Sequence, residues 1–95
     1  LGVGVPTMLC NLQSIKAYAE ARPNGVSIVG WPVAQYAPSD APVQAGAMCL
    51  IISQAADTGA TIIILSDSSR NVWMKSRWGG AWSSWNKIMN GNIES

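Results

Sequence analysis

The segment from Trp73 to Ile88 reads W-M-K-S-R-W-G-G-A-W-S-S-W-N-K-I and carries four of the five tryptophans. Lys75, Arg77 and Lys87 lie among them, with no acidic residue. Gly79-Gly80 splits the segment into two strand-like halves, and a glycine pair supplies the positive φ angles of a tight hairpin turn. Tryptophan combines a large apolar area with one hydrogen-bond donor, so such a cluster is either a compact core or a stacking surface.

The neighbouring sequence is also strand-like. Met48–Gln54 and Thr61–Leu65 are apolar and isoleucine-rich, separated by the turn-forming A-A-D-T-G. Uninterrupted apolar runs of this kind suit strands covered on both faces. A further strand over 71–77 follows Asp67-Ser68-Ser69-Arg70, and another over 81–89 follows the glycine pair. Three successive hairpins make an antiparallel meander. Trp78, Trp82, Trp85 and Met89 also fit a helix face, but two glycines and Ser83-Ser84 weaken that helix, each glycine costing about 1 kcal/mol against alanine. We read a strand there.

Residues 1–9 read as an extended entry. Asn11 is a good N-cap, Leu12, Ile15, Tyr18 and Ala19 recur at helical spacing, and Pro23-Asn24-Gly25 ends the run, which predicts a helix over 11–22. Alternation over 26–31 predicts a short strand, and 37–46, with two prolines and few bulky side chains, predicts a loop. The expected fold is a single domain over 1–95, mainly β with one short N-terminal helix. It is a small antiparallel meander or sandwich with strands at about 26–31, 48–54, 61–66, 71–77 and 81–89.

A 95-residue chain buries only roughly 60–70 % of its unfolded surface, so it needs a disulfide, a metal or association for secure stability. Histidine is absent, and the two cysteines, Cys10 and Cys49, cannot complete a four-sulfur site, so no metal or cofactor is expected. Both cysteines sit beside apolar residues and read as buried free thiols of a protein made in a reducing cytosol. Association is the remaining source of stability. Charged residues make up 12 % of the chain against 48 % hydrophobic, with a net charge of +1, which gives no footprint for nucleic acid and suggests apolar surface covered by a partner. Leu50–Ile52 and Ile62–Leu65 are far too short to insert in a membrane as spanning helices, and Leu1-Gly2-Val3-Gly4 is no signal peptide. The abrupt start without Met reads as a piece of something longer, and N-G-N-I-E-S at the end as a linker into a next module.

Little in the sequence points to catalysis. Without histidine the Ser-His-Asp and Cys-His nucleophile systems cannot form. Asp40, Asp57 and Asp67 fall in predicted turns, where aspartate serves local hydrogen bonds. Glu20 lies on the helix and Glu94 in the tail, and no phosphate loop, dinucleotide fingerprint or calcium loop is present. The chain reads as a non-enzyme. Within the aromatic-basic segment, Trp82 and Trp85 read as packing residues of the core or a subunit interface, with Ile88, Ile63 and Leu65 beside them. Trp31, Trp73 and Trp78, near turns or strand ends, with Lys75 and Arg77, are the candidates for stacking on a sugar ring.

Asn71-Val72-Trp73-Met74-Lys75-Ser76, then Gly79-Gly80, then Trp82-Ser83-Ser84-Trp85 with Asn86-Lys87-Ile88 resembles modules of bacteriophage tail fibres and tailspikes and of related prophage and pyocin-like fibres. That family's pattern is written roughly as v-y-x-R-s…G-G-x-W-S-x-W-x-x-[IL], and Met48–Leu65 fits the two apolar strands that precede it. The match covers 47–89. Lys75 stands where Arg is commoner and Trp73 where Tyr is commoner. The resemblance implies a trimeric, β-rich, non-catalytic module on the virion tail, made in the bacterial cytoplasm and meeting the cell surface by binding polysaccharide or lipopolysaccharide, by locking the trimer, or both. The absence of histidine excludes the histidine-chelated iron needle of some fibre tips. Two other classes stand beside it: a monomeric carbohydrate-binding module appended to an enzyme or surface protein, expected to expose two or three tryptophans in one row, and a small hydrolase using turn aspartates.

Overall fold

The computed structural model describes residues 7–8, 14–21, 24–54 and 60–89. Its elements are β1 (Thr7–Met8), α1 (Ile15–Glu20), β2 (Asn24–Trp31), a 3₁₀ turn at Ala34–Tyr36, β3 (Ala47–Gln54), β4 (Ala60–Asp67), β5 (Val72–Trp78), β6 (Ala81–Trp82) and β7 (Asn86–Met89). They form one sheet in the order β1-β2-β3-β4-β5-β6, with β7 also paired to β5. Among the described residues only the β1/β2 pairing is parallel. The fold is therefore mainly β with one short helix, and it is the meander rather than the sandwich, because the described residues form one sheet.

The helix starts at an N-cap serine, Ser14, whose hydroxyl accepts from the Ala17 amide, and it buries Ile15 and Ala19. Residues 11–13, 22 and 23 of the expected helix lie outside the described ones, as do Asn11, Cys10 and Asp57. Asn24 and Gly25, expected in a turn, belong to β2. Between β2 and β3 the chain makes a long excursion and returns through a narrow neck at Gly46. A Cβ there would run into the Pro32 carbonyl, so glycine is required.

Strand alternation sorts the side chains of β2–β5 onto two faces. In register, Val29, Cys49, Leu65 and Trp73 make one row of the inner face, and Ser27, Ile51, Ile63 and Lys75 the next. Helix α1, the segment around Ala37 and Ala41, and Trp82 and Trp85 all pack on this face. Cys49, Ile51, Ile63 and Leu65 are sealed beneath them at 0–2 % exposure. The apolar runs predicted strands covered on both faces, and the described residues cover one. Helix, loop and tryptophan segment all cross the same side.

The strand expected over 81–89 is broken. Residues 83–85 leave the ladder between β6 and β7, and both short strands share the same edge of β5.

Candidate functional site: a tryptophan wrap and an open sheet face

Two features stand out, one on each face. The first is the W-S-x-W segment. The hairpin from β5 to β6 turns at Gly79 and Gly80, with φ of 60° and 89°, which glycine adopts without the penalty other residues meet. Ser83 then takes the place of a strand neighbour: its amide donates to the Ser76 carbonyl at 2.8 Å, and its hydroxyl accepts from the Ser76 amide at 3.1 Å. With the backbone satisfied in this way, the chain can lift over the inner face and lay its two tryptophans on the two cations beneath.

Lys75 and Arg77 are two residues apart on β5, so both point inward. Arg77 stacks on Trp82, with its guanidinium carbon 5.4 Å from the ring centroid, and Lys75 lies under Trp85 at 5.3 Å. Lys75 Nζ donates to the Ser83 carbonyl at 2.9 Å, and Arg77 donates to Thr61 Oγ1 at 3.1 Å. The indole N–H groups are engaged as well. Trp82 donates to Glu20 at 2.7 Å and Trp85 to the Asp40 carbonyl at 2.8 Å. Lys87 lies over Trp73 at 5.3 Å, a third cation–ring stack among the described residues. Burial lowers the Lys75 pKa below its ordinary value, with the charge of Lys16 adding to the effect and that of Asp40 opposing it. Ser53 Oγ and Arg77 Nε are buried without a hydrogen-bond partner among the described residues.

The acids organise this arrangement. Asp40, read from sequence as a turn residue, accepts from the Ile15 and Lys16 amides and from the Ser14 hydroxyl at 2.8–3.0 Å. It thus caps α1 from the far loop, while its own carbonyl receives Trp85. No sequence signal marks a cap 25 residues distant. Asp67 plays the local role expected of a turn aspartate: Oδ1 accepts from the Ser69 and Asn71 amides, and Oδ2 from the Asn71 amide group and the Trp73 indole. Burial alone would raise its pKa, but these hydrogen bonds outweigh it and the net shift is downward. Cys49 is a free, buried thiol whose pKa burial pushes up to about 12, with a further contribution from Asp40.

The structure thus places the sequence-predicted ligand residues as follows. Trp31 is 3 % exposed and gives its indole N–H to the Ala45 carbonyl at 2.6 Å. Trp73 is half-buried under Lys87, while Lys75 and Arg77 are buried under the tryptophan wrap. Trp78 alone among the five indoles is exposed, at 65 %. Of the packing candidates, Ile63 and Leu65 are fully buried, Trp82 and Trp85 pack against the core, and Ile88 is 53 % exposed. A shallow cleft of about 360 Å³ opens beside Trp31, Pro32, Met48 and Asp67, where the Asp67 carboxylate is already occupied by the donors named above.

The sequence carried the second feature only in outline: its apolar runs suit strands covered on both faces, but nothing in them says which face is left open. The outer face of β2–β5 carries Val26, Ile28, Met48, Leu50, Ile52, Ile62, Ile64, Val72 and Met74 in contiguous register. None of these side chains is buried, and Met48, Leu50 and Ile52 are exposed at 51, 37 and 42 %. Every charged residue of β2–β5 (Asp67, Lys75 and Arg77) belongs to the covered inner face, and the open face has none. Such an arrangement inverts the usual solvent-facing sheet, which alternates polar outward.

The fold and these surfaces define a class: a small antiparallel β module that finishes one sheet face with its own chain and leaves the other apolar and open. Comparison with family models, with curated proteins and with solved structures finds no match. Among the described residues, no helix is long and apolar enough to cross a membrane.

Proposed function

We propose that this chain is a non-catalytic structural and adhesion module of a phage tail fibre or tailspike, working as a homotrimer on the virion tail. Its role is to contribute to attachment at the bacterial cell surface. The observation that carries this reading is the open, uncharged face of the sheet, since a protein that functions alone rarely leaves so continuous an apolar surface in water. The W-S-x-W resemblance supplies the setting, and the wrap gives that motif a structural purpose: Ser83 repairs the ladder while Trp82 and Trp85 cover Arg77 and Lys75.

The carboxylates of Asp40 and Asp67 are both held by donors of the chain itself, which favours architecture over hydrolysis. A monomeric carbohydrate-binding module would need several exposed indoles in a row, and Trp78 stands alone. Any contact with surface polysaccharide or lipopolysaccharide then comes from the assembled module, not from a tryptophan platform on one chain. Sedimentation equilibrium over a wide concentration range tests the reading. A mass near three protomers, about 30 kDa from a 10.1 kDa chain, that persists on dilution is expected. A single-protomer mass at every concentration overturns it.

A further inference from the structure

We infer that helix α1 and the tryptophan wrap at residues 82–85, joined through Asp40, form one cover that opens and closes over the inner face as a unit while β2–β5 stay paired. It is a strap built into a single chain, whatever the assembly of that chain.

The ties run to both ends of the helix. At the C-terminal end of α1, Glu20 accepts from the Trp82 indole at 2.7 Å and lies 4.0 Å from the Arg77 guanidinium. At the N-terminal end, the Ile15 and Lys16 amides and the Ser14 hydroxyl donate to the Asp40 carboxylate. The carbonyl of that same residue accepts from the Trp85 indole at 2.8 Å. Two tryptophans of one short segment thus hold the two ends of one helix, one directly and one through Asp40. Ser83, between them, is fixed to β5 by its amide, its hydroxyl and its carbonyl.

Each half of the cover depends on the other. The six residues of α1 fall well short of the roughly twelve that an isolated helix needs in water. The helix has no acid in its first turn and no base in its last, so Asp40 supplies the anion that favours its N-terminus and Arg77 the cation near its C-terminus. The wrap in turn leaves the ladder after β6, a strand of two residues. Its tryptophans are held down by the stacks on Arg77 and Lys75 and by the indole bonds to Glu20 and Asp40.

The sheet beneath is built differently. Strands β2, β3 and β4 have eight residues each and pair in unbroken register. Local opening starts where the fewest backbone bonds and buried contacts resist it, so the cover opens at a lower free energy than the strands. Cys49, 2 % exposed in the inner row with Val29 and Leu65, lies beneath the cover and reports its opening.

Native-state hydrogen exchange of the parent, Trp85→Phe, Ser14→Ala and Trp78→Phe tests the unit. Trp85→Phe keeps a ring over Lys75 and removes the N–H given to Asp40. The expected result is exchange roughly tenfold faster at the Ile15, Lys16 and Tyr18 amides, matched at Ser76 and Ser83, with Ile51 and Ile63 unchanged. Ser14→Ala, made from the helix side, should speed the same two groups together, because coupling acts in both directions. Trp78→Phe, at the exposed indole, should change neither. Alkylation of Cys49 by iodoacetamide, separated from Cys10 by peptide mass, should quicken by the same factor as the amides.

A Trp85→Phe that speeds Ser76 and Ser83 but leaves the α1 amides at the parent rate overturns the single unit. A rise shared equally by Ile51 and Ile63 overturns it too, since the chain would then open only as a whole. Amides that open together while Cys49 reacts no faster overturn the uncovering of the sheet. If Trp85→Phe does not fold, Ser14→Ala decides.

Discussion

The two faces of one sheet in this protein are built on opposite rules. The inner face buries two cations and a carboxylate together with isoleucine, leucine and valine, and each of the three ions has partners from its own chain: tryptophan rings, carbonyls, hydroxyls or amides. The outer face is wholly uncharged, yet it is the one left open. Burial within the chain can accommodate an ion where other segments of the same chain bring partners to it.

The sharpest way to break this comparison is a pair of neighbouring truncations on β4. Ile63 points inward at 0 % exposure, so Ile63→Ala should cost about 2–5 kcal/mol, measured by denaturant unfolding. Ile64 points outward and is half-buried, so Ile64→Ala should cost well under half as much by the same measurement. Equal costs in the monomer would mean that the two faces do not differ as described.

A smaller effect is expected at Asp67. Replacing it with Asn removes an acceptor for the Asn71 amide group or the Trp73 indole and sets an N–H₂ group against a donor, a loss of about 2 kcal/mol at neutral pH. Folding lowers this carboxyl below its ordinary value of 3.8, so its contribution is complete above that pH and is lost as the pH falls through the lower, folded value. The stability gap between the parent and Asp67→Asn should therefore narrow in acid. A gap that stayed constant from pH 6 to pH 2 would show that the hydrogen bonds do not act through the charged form.

The smallest effect should come from Arg77→Met. Arg77 is 4 % exposed with an unpartnered Nε, and its ion pair with Glu20 is long at 4.0 Å to a half-exposed carboxylate. An apolar chain of similar length keeps the packing under Trp82 and removes the cost of burying the charge, which offsets the loss of the hydrogen bond to the buried Thr61 hydroxyl, so the change should stay within about 1 kcal/mol of neutral. A loss of more than about 3 kcal/mol would show that the inner cations hold the sheet together instead of being tolerated by it.

Much of the fold was legible because its signals are local. The isoleucine runs of β3 and β4, the Asp67–Asn71 turn and the Gly79-Gly80 hairpin are written in consecutive residues, and the structure places the elements within two residues of where those signals put them. The broken strand was not legible. A hydroxyl standing in for a strand neighbour at Ser83 has the same sequence signature as a continuous strand. Nor was the helix cap from Asp40 legible, since nothing near Ser14 announces a carboxylate 26 residues away.

The sequence by itself determined that the chain is one small β-rich unit with a single helix, a glycine-turned hairpin and a tryptophan cluster among cations. Hydrophobic period and turn chemistry act over a few residues and can be read in order. Only the tertiary structure decided that the cations and tryptophans neutralise one another on a covered face, and that an equally apolar face remains open. Period-two alternation says which residues share a face, but which face the rest of the chain crosses depends on contacts between segments far apart in sequence.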